Sequence, residues 1–236
     1  MMRLLRIVVL TAGMLSTFVV AAGSYSVYPV TLGLSDARPA TTLKVRNSAA
    51  APVTLQLAVK QWQQPDGEDD LQETRDIIAV PPVFTIAAGG EQIVRVGLRK
   101  RDTVGREQAY RLLVKEIPSE NGVGQGLKLA LNMSLPVFVL PERPVTAELA
   151  WQVRQRDDGQ LSLSVANPGD AHFKFTEWRL LAKGSVIAAG EKLRYVLPGA
   201  RREWSTQPSR PLAKGDKLHI VTVSAGREQR TSAVVE

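Results

Sequence analysis

Apolar residues recur at every second position through most of this chain, not at every third or fourth. Residues 40–46 (ATTLKVR), 53–59 (VTLQLAV) and 92–98 (QIVRVGL) alternate cleanly, the pattern of strands with one buried face. Residues 24–34 alternate more loosely through Tyr25, Val27 and Leu32, and residues 110–114 form a further strand. Pro65-Asp66-Gly67 and Gly89-Gly90 are turn signals. Pro81-Pro82 restricts its segment to a loop or a sheet edge, because proline has no N–H to donate. The second half repeats the theme. Strands are expected at 161–165, 173–181, 192–196 and 217–223, with turns at Asp157-Asp158-Gly159, Asn167-Pro168-Gly169 and Pro198-Gly199. The one place for a helical turn or two is residues 69–76. Short strands with regular turns predict an all-β chain built from β-sandwiches.

The longest alternation is the most informative. Leu127, Leu129, Leu131, Met133, Leu135, Val137 and Val139 occupy consecutive odd positions. A strand lines them along one face, and it is long against the usual five or six residues or so. A polar, Gly-rich loop at 119–126 precedes it. Leu135, Val137 and Val139 are expected in the chain's own core. Leu127, Leu129 and Leu131, with Met133 beside them, are expected to serve an outside partner. Burying each such side chain is worth roughly 1.5–3 kcal/mol. A slip by one residue would present Lys128, Ala130 and Asn132 instead, so the pairing register is strongly specified.

The N-terminus sets the compartment. Arg3 and Arg6 precede an apolar run at 7–20, and Val20-Ala21-Ala22 supplies small residues. This is a signal-peptide pattern, too short to span a bilayer comfortably. No second stretch is apolar and long enough to hold the chain in a membrane. Cysteine is absent, which removes disulfides and thiol chemistry. The formal charge is +7, and +5 without Arg3 and Arg6. Outside the cytoplasm such a balance suits an acidic or carboxylate-bearing partner better than nucleic acid. The PERP run at 141–144 is a stiff linker. The expected division is a signal peptide at 1–22, a first domain at 23–140, a linker at 141–144 and a second domain at 145–236.

Enzyme chemistry finds little support. His172 and His219 are the only histidines, and they lack metal-ligand spacing. No nucleophile elbow, P-loop or H-E-x-x-H is present. Asp69-Asp70 and Asp157-Asp158 are turn-type charge pairs. Trp62, Trp151, Trp178 and Trp204 read as core or interface anchors. The expectation is a binding protein with no catalytic residues, no metal and no cofactor.

Several runs in order carry a family resemblance: VYPVTLGL at 27–34, TLKVRN at 42–47, VPPVF at 80–84, GGEQIVRV at 89–96, RE at 106–107, KEIP at 115–118, LPVFV at 135–139 and NPG at 167–169. The chain resembles the PapD-like periplasmic chaperones of the chaperone–usher pathway, in details most like the archaic branch. The resemblance implies two immunoglobulin-like domains set in an L shape. It implies a periplasmic protein that binds pilus subunits transiently, one to one, and lends a strand to their incomplete fold. An outer-membrane usher is the next partner; nucleic acid and stable membrane insertion are not expected. Family members hold the subunit's C-terminal carboxylate with an Arg on the first strand and a Lys on the seventh. Here Thr31 and Pro136 stand at those positions, so Arg111 and Arg95 are the substitute candidates, with Lys115 behind them. Glu107 matches a Glu that helps set the family's interdomain angle, while the Arg expected near the junction is Leu140. The alternative is a secreted structural or adhesive pilus component, against which two complete domains argue.

Overall fold

Alternation decides which side chains face inward, and the sheets follow from it. The computed structural model describes residues 25–99, 105–118 and 130–236, apart from the side chains of 192 and 193. In the first half the strands are β1 (Tyr25–Tyr28), β2 (Leu32–Leu34), β3 (Ala40–Asn47), β4 (Val53–Gln63), β5 (Asp70–Glu73), β6 (Ile77–Val80), β7 (Val83–Ile86), β8 (Glu91–Leu98), β9 (Gln108–Ile117) and β10 (Asn132–Val139). One sheet has the order β1-β3-β8-β6; the other runs β2-β10-β9-β4-β5, with β7 beside β4. Leu43, Val45, Val94 and Val96 of the first sheet meet Leu55, Leu112, Val114 and Val137 of the second in one buried core.

The second half holds β11 (Ala150–Gln155), β12 (Leu161–Ala166), β13 (Phe173–Ala182), β14 (Ser185–Val196), β15 (Arg201–Thr206), β16 (Lys217–Ser224) and β17 (Arg227–Val234). They pair as β11-β12-β15 and β14-β13-β16-β17. Val153, Leu161, Leu163 and Val165 face Phe175, Leu180, Leu218 and Ile220 in a separate core. A third cluster, of Trp62, Ala109, Phe138, Tyr195, Leu197 and Ala200, draws from both halves and joins them. The molecule is a pair of β-sandwiches, as expected.

Some expectations need correction. Residues 69–76 form no α-helix: β5 pairs with β4 from Gln63↔Asp70 to Lys60↔Glu73, and a single 3-10 turn occupies Pro65–Gly67. The first predicted strand splits in two. β1 pairs with β3 in one sheet, then the chain crosses and β2 pairs with β10 in the other. Strands β5, β6, β7, β11, β15 and β17 escaped the sequence reading. β17 is largely exposed on both faces, so it carries no alternation to detect.

Candidate functional site

The ladder strand has one paired side and one partly open side. β10 runs antiparallel to β9 along its whole length, from Asn132↔Lys115 to Val139↔Gln108. On the other side β2 covers only Val137 to Val139, in parallel. From Asn132 to Pro136 no strand among the described residues pairs with that side. Leu135, Val137 and Val139 are buried in the first core, while Leu131 and Met133 pack only partly against it. The root of the strand is pinned. The Tyr25 hydroxyl donates to the Val114 carbonyl at 2.9 Å, with the Leu131 carbonyl at 3.0 Å as a second acceptor. Burial, and then the nearby Glu116 charge, push the Tyr25 phenol up to about 12. The Leu131 N–H donates to the Glu116 carboxylate at 3.1 Å, extending the β9 pairing by a side chain.

The open edge leads to a cleft of about 290 Å³ between the sandwiches. Thr31, Ser134 and Pro136 form its β10 side, and Arg111, Lys174, Arg194 and Arg202 bring positive charge to it. Arg111 comes from β9, opposite Pro136. Its guanidinium lies 3.6 Å from the Trp62 ring centroid and 5.3 Å from that of Tyr195. Burial lowers its pKa from the ordinary arginine value. Asp69 also lines the cleft, where it accepts from Trp62 Nε1 at 3.1 Å, Gln64 Nε2 at 2.9 Å and Arg202 at 3.2 Å.

The junction beside the cleft is tightly fitted. Gln64 donates to the Tyr195 carbonyl and accepts from the Leu197 N–H, each at 3.0 Å. Glu107 is buried, and its carboxylate accepts the His172 backbone N–H at 3.0 Å, with the ring Nδ1 2.7 Å from the same oxygen. The His172 ring stacks on Phe138 at 3.8 Å, with an interplanar angle of 6°. Glu107 of the first half thus contacts His172 of the second. Its partner is an imidazole and an amide, in a chain where the Arg expected near the junction is Leu140.

The family model described as "Pili and flagellar-assembly chaperone, PapD N-terminal domain" matches residues 24–144, which is more than half of the chain. The chain belongs to the PapD-like pilus-assembly chaperones. No curated protein matches it in sequence. Among solved structures, it is similar to a chain of the CsuC–CsuE chaperone–tip adhesion subunit pre-assembly complex from the archaic chaperone–usher Csu pili of Acinetobacter baumannii. That match has 21% identity and a TM-score of 0.70, and it covers 91% of this chain and 100% of the other. The CupB2 chaperone of Pseudomonas aeruginosa gives 18% identity and a TM-score of 0.58, covering 88% and 98%. A chain of the Salmonella enterica SafA pilin–SafB chaperone complex gives 20% and 0.59, covering 89% and 96%. At these identities the likeness is one of fold.

Leu127 and Leu129 lie outside the described residues. The three basic candidates do not converge in this pilus chaperone. Arg111 faces the cleft, whereas Lys115, opposite Asn132, is exposed farther along the same strand. Arg95 belongs to the other sheet, opposite Thr42 and Val80 on its exposed face. Sequence reasoning missed Lys174, Arg194, Arg202 and Tyr195. No spacing ties them to Arg111, and only the packing of the halves brings them to it.

Proposed function

We propose that this chaperone captures unfinished pilus subunits by strand donation and passes them to an outer-membrane usher. It works in the periplasm once residues 1–22 are removed, with domains at 23–140 and 145–236 about a linker at 141–144. The donated segment is Leu127, Leu129, Leu131 and Met133. The observation that carries this is the side of β10 between Asn132 and Pro136 with which no strand among the described residues pairs, beside a face whose Leu131 and Met133 are only partly buried against their own core. An unpaired edge is a template for another strand. The proposed role is binding, and the reading is supported by solved complexes of the same fold in which a chaperone holds a tip adhesion subunit or a pilin. A guest strand that continued the line of β2 along this edge would end near Thr31, in the cleft. Arg111 is therefore the proposed anchor for the guest's terminal carboxylate, because it offers planar paired donors there; Arg95 and Lys115 lie too far along or on the wrong sheet.

The test is co-expression with the small secreted proteins encoded beside it, followed by co-purification. Leu129→Glu and Leu131→Glu should each weaken capture on the order of 30-fold or more, since a leucine's burial is lost and a carboxylate must be desolvated. Thermal melting of the free Leu131→Glu protein checks that its own sandwich survives. Undiminished capture by both variants would sink the proposal.

A further inference from the structure

The interdomain cleft gathers more positive charge than one carboxylate neutralises. Its cations are Arg111 of β9, Lys174 of β13, Arg194 of β14 and Arg202 of β15. The carboxylates facing them are Asp69, which lines the cleft, and Glu68, close enough to act on Arg194. Asp69 is already engaged by Trp62, Gln64 and Arg202, and Arg202 also donates to the Gly67 carbonyl at 2.6 Å. The other cations rest on rings. Arg111 sits on Trp62 as described, Lys174 Nζ lies 5.7 Å from the Tyr195 centroid, and Arg194 lies 4.7 Å from that of Trp204. A ring face attracts a cation but leaves its N–H donors unfilled. Arg194 Nε is buried with no hydrogen-bond partner. Burial lowers the pKa of Arg194, as it does that of Arg111, and the Arg202 charge lowers it further. Like charges crowded out of water are costly until anions arrive.

Building on the strand-capture reading above, we infer that this cleft receives two negative charges together: the free C-terminal carboxylate of the captured chain and the side chain of an acidic terminal residue. After Asp69 and Glu68, two cations, the half-buried Arg111 and the exposed Lys174, remain unmatched, and a single carboxylate would leave one of them without a counter-charge. The volume, about 290 Å³, suits the end of a chain. A peptide is the occupant because the same cleft is walled by Ser134, Leu135 and Pro136, where the open edge of β10 finishes. Since Arg111 and Lys174 belong to different sandwiches, the bound terminus also ties the halves together.

The probes are synthetic peptides of alternating aliphatic residues, identical except at the end: a free-acid Asp, a free-acid Asn and an Asp amide. Binding to the full chain is measured by calorimetry at two salt concentrations. The Asp free acid should bind about tenfold more tightly than either of the others, the worth of one charge-assisted contact. The gap should shrink at high salt. Lys174→Gln, at an exposed position and checked for intact folding by circular dichroism, should close most of the gap between the Asp and Asn peptides. Equal binding of the Asp and Asn peptides overturns the inference and leaves strand capture standing. Binding of no peptide at all overturns strand capture, and the inference with it. Vesicles rich in anionic phospholipid that bind the wild type but not Lys174→Gln would overturn the assignment to a peptide.

Discussion

Asn47 and Asn167 are each fully buried, and each closes a corner of its own sandwich. Asn47 Nδ2 donates to the carbonyls of Ala51, Ile86 and Ala87, while its Oδ1 accepts the Ala49 N–H at 2.9 Å. Asn167 repeats the scheme: Nδ2 reaches the Ala171 and Val196 carbonyls, and Oδ1 accepts from Glu148 at 3.0 Å and Gly169 at 3.2 Å. Removing such a hub strands several buried backbone groups. Asn167→Ala should therefore destabilise the second sandwich by at least about 1–3 kcal/mol, read as a lower urea midpoint at unchanged slope. The neighbouring Gly169 has a backbone reason as well, since a Cβ there would stand 2.5 Å from the Glu148 nitrogen. The NPG run was legible as a turn; its role as the corner that meets Glu148 was not, because that partner is fixed only by folding.

At the scale of the element, β10 is governed by what holds its root. Tyr25 carries the only hydroxyl seen to bridge β1 to both β9 and the start of β10 among the described residues. Its phenol is raised in the folded protein to about 12, above an unfolded value near 10. The contribution is therefore whole below about pH 10 and is lost as pH rises towards 12. The protection factors at residues 131–134, with base-catalysed intrinsic exchange divided out, should fall across that window in the wild type. In Tyr25→Phe they should already be low at lower pH, with no such step. A step that persisted in Tyr25→Phe would assign the pinning to another group. The ladder itself was plain in the sequence. That its middle stays half-buried, while the backbone beside it lacks a partner, depends on where β2 joins, at Val137.

At the scale of the whole molecule, the sandwiches are coupled by a small, well-made junction. Trp62 meets Phe138 and Tyr195 at centroid distances of 6.4 and 5.1 Å, and Gln64 bonds reciprocally with the Tyr195–Leu197 backbone. Gln64→Ala leaves a buried carbonyl and N–H unmatched at a joint that is also bridged by Glu107 with His172 and by Arg202 with Asp69. Calorimetric unfolding, expected as one transition in the wild type, should then separate into two, with the lower one shifted by several degrees, as about 1–2 kcal/mol would give. A single unshifted transition would mean that the aromatic contacts and the other polar bridges carry the coupling without Gln64.

By itself the sequence determined the fold class, the turns, the inward face of each alternating strand and the buried run of Leu135, Val137 and Val139, because these follow from local spacing and the two-residue period of a strand. It also carried the family in its ordered motifs. Tertiary structure alone decided that Arg111 faces a cleft while Arg95 lies on the other sheet and Lys115 farther out, and that Lys174, Arg194 and Arg202 join Arg111 there. It likewise paired Glu107 with His172. The partners from the two halves stand dozens of positions apart, and nothing in their spacing encodes a meeting that only the packing of one sandwich against the other brings about.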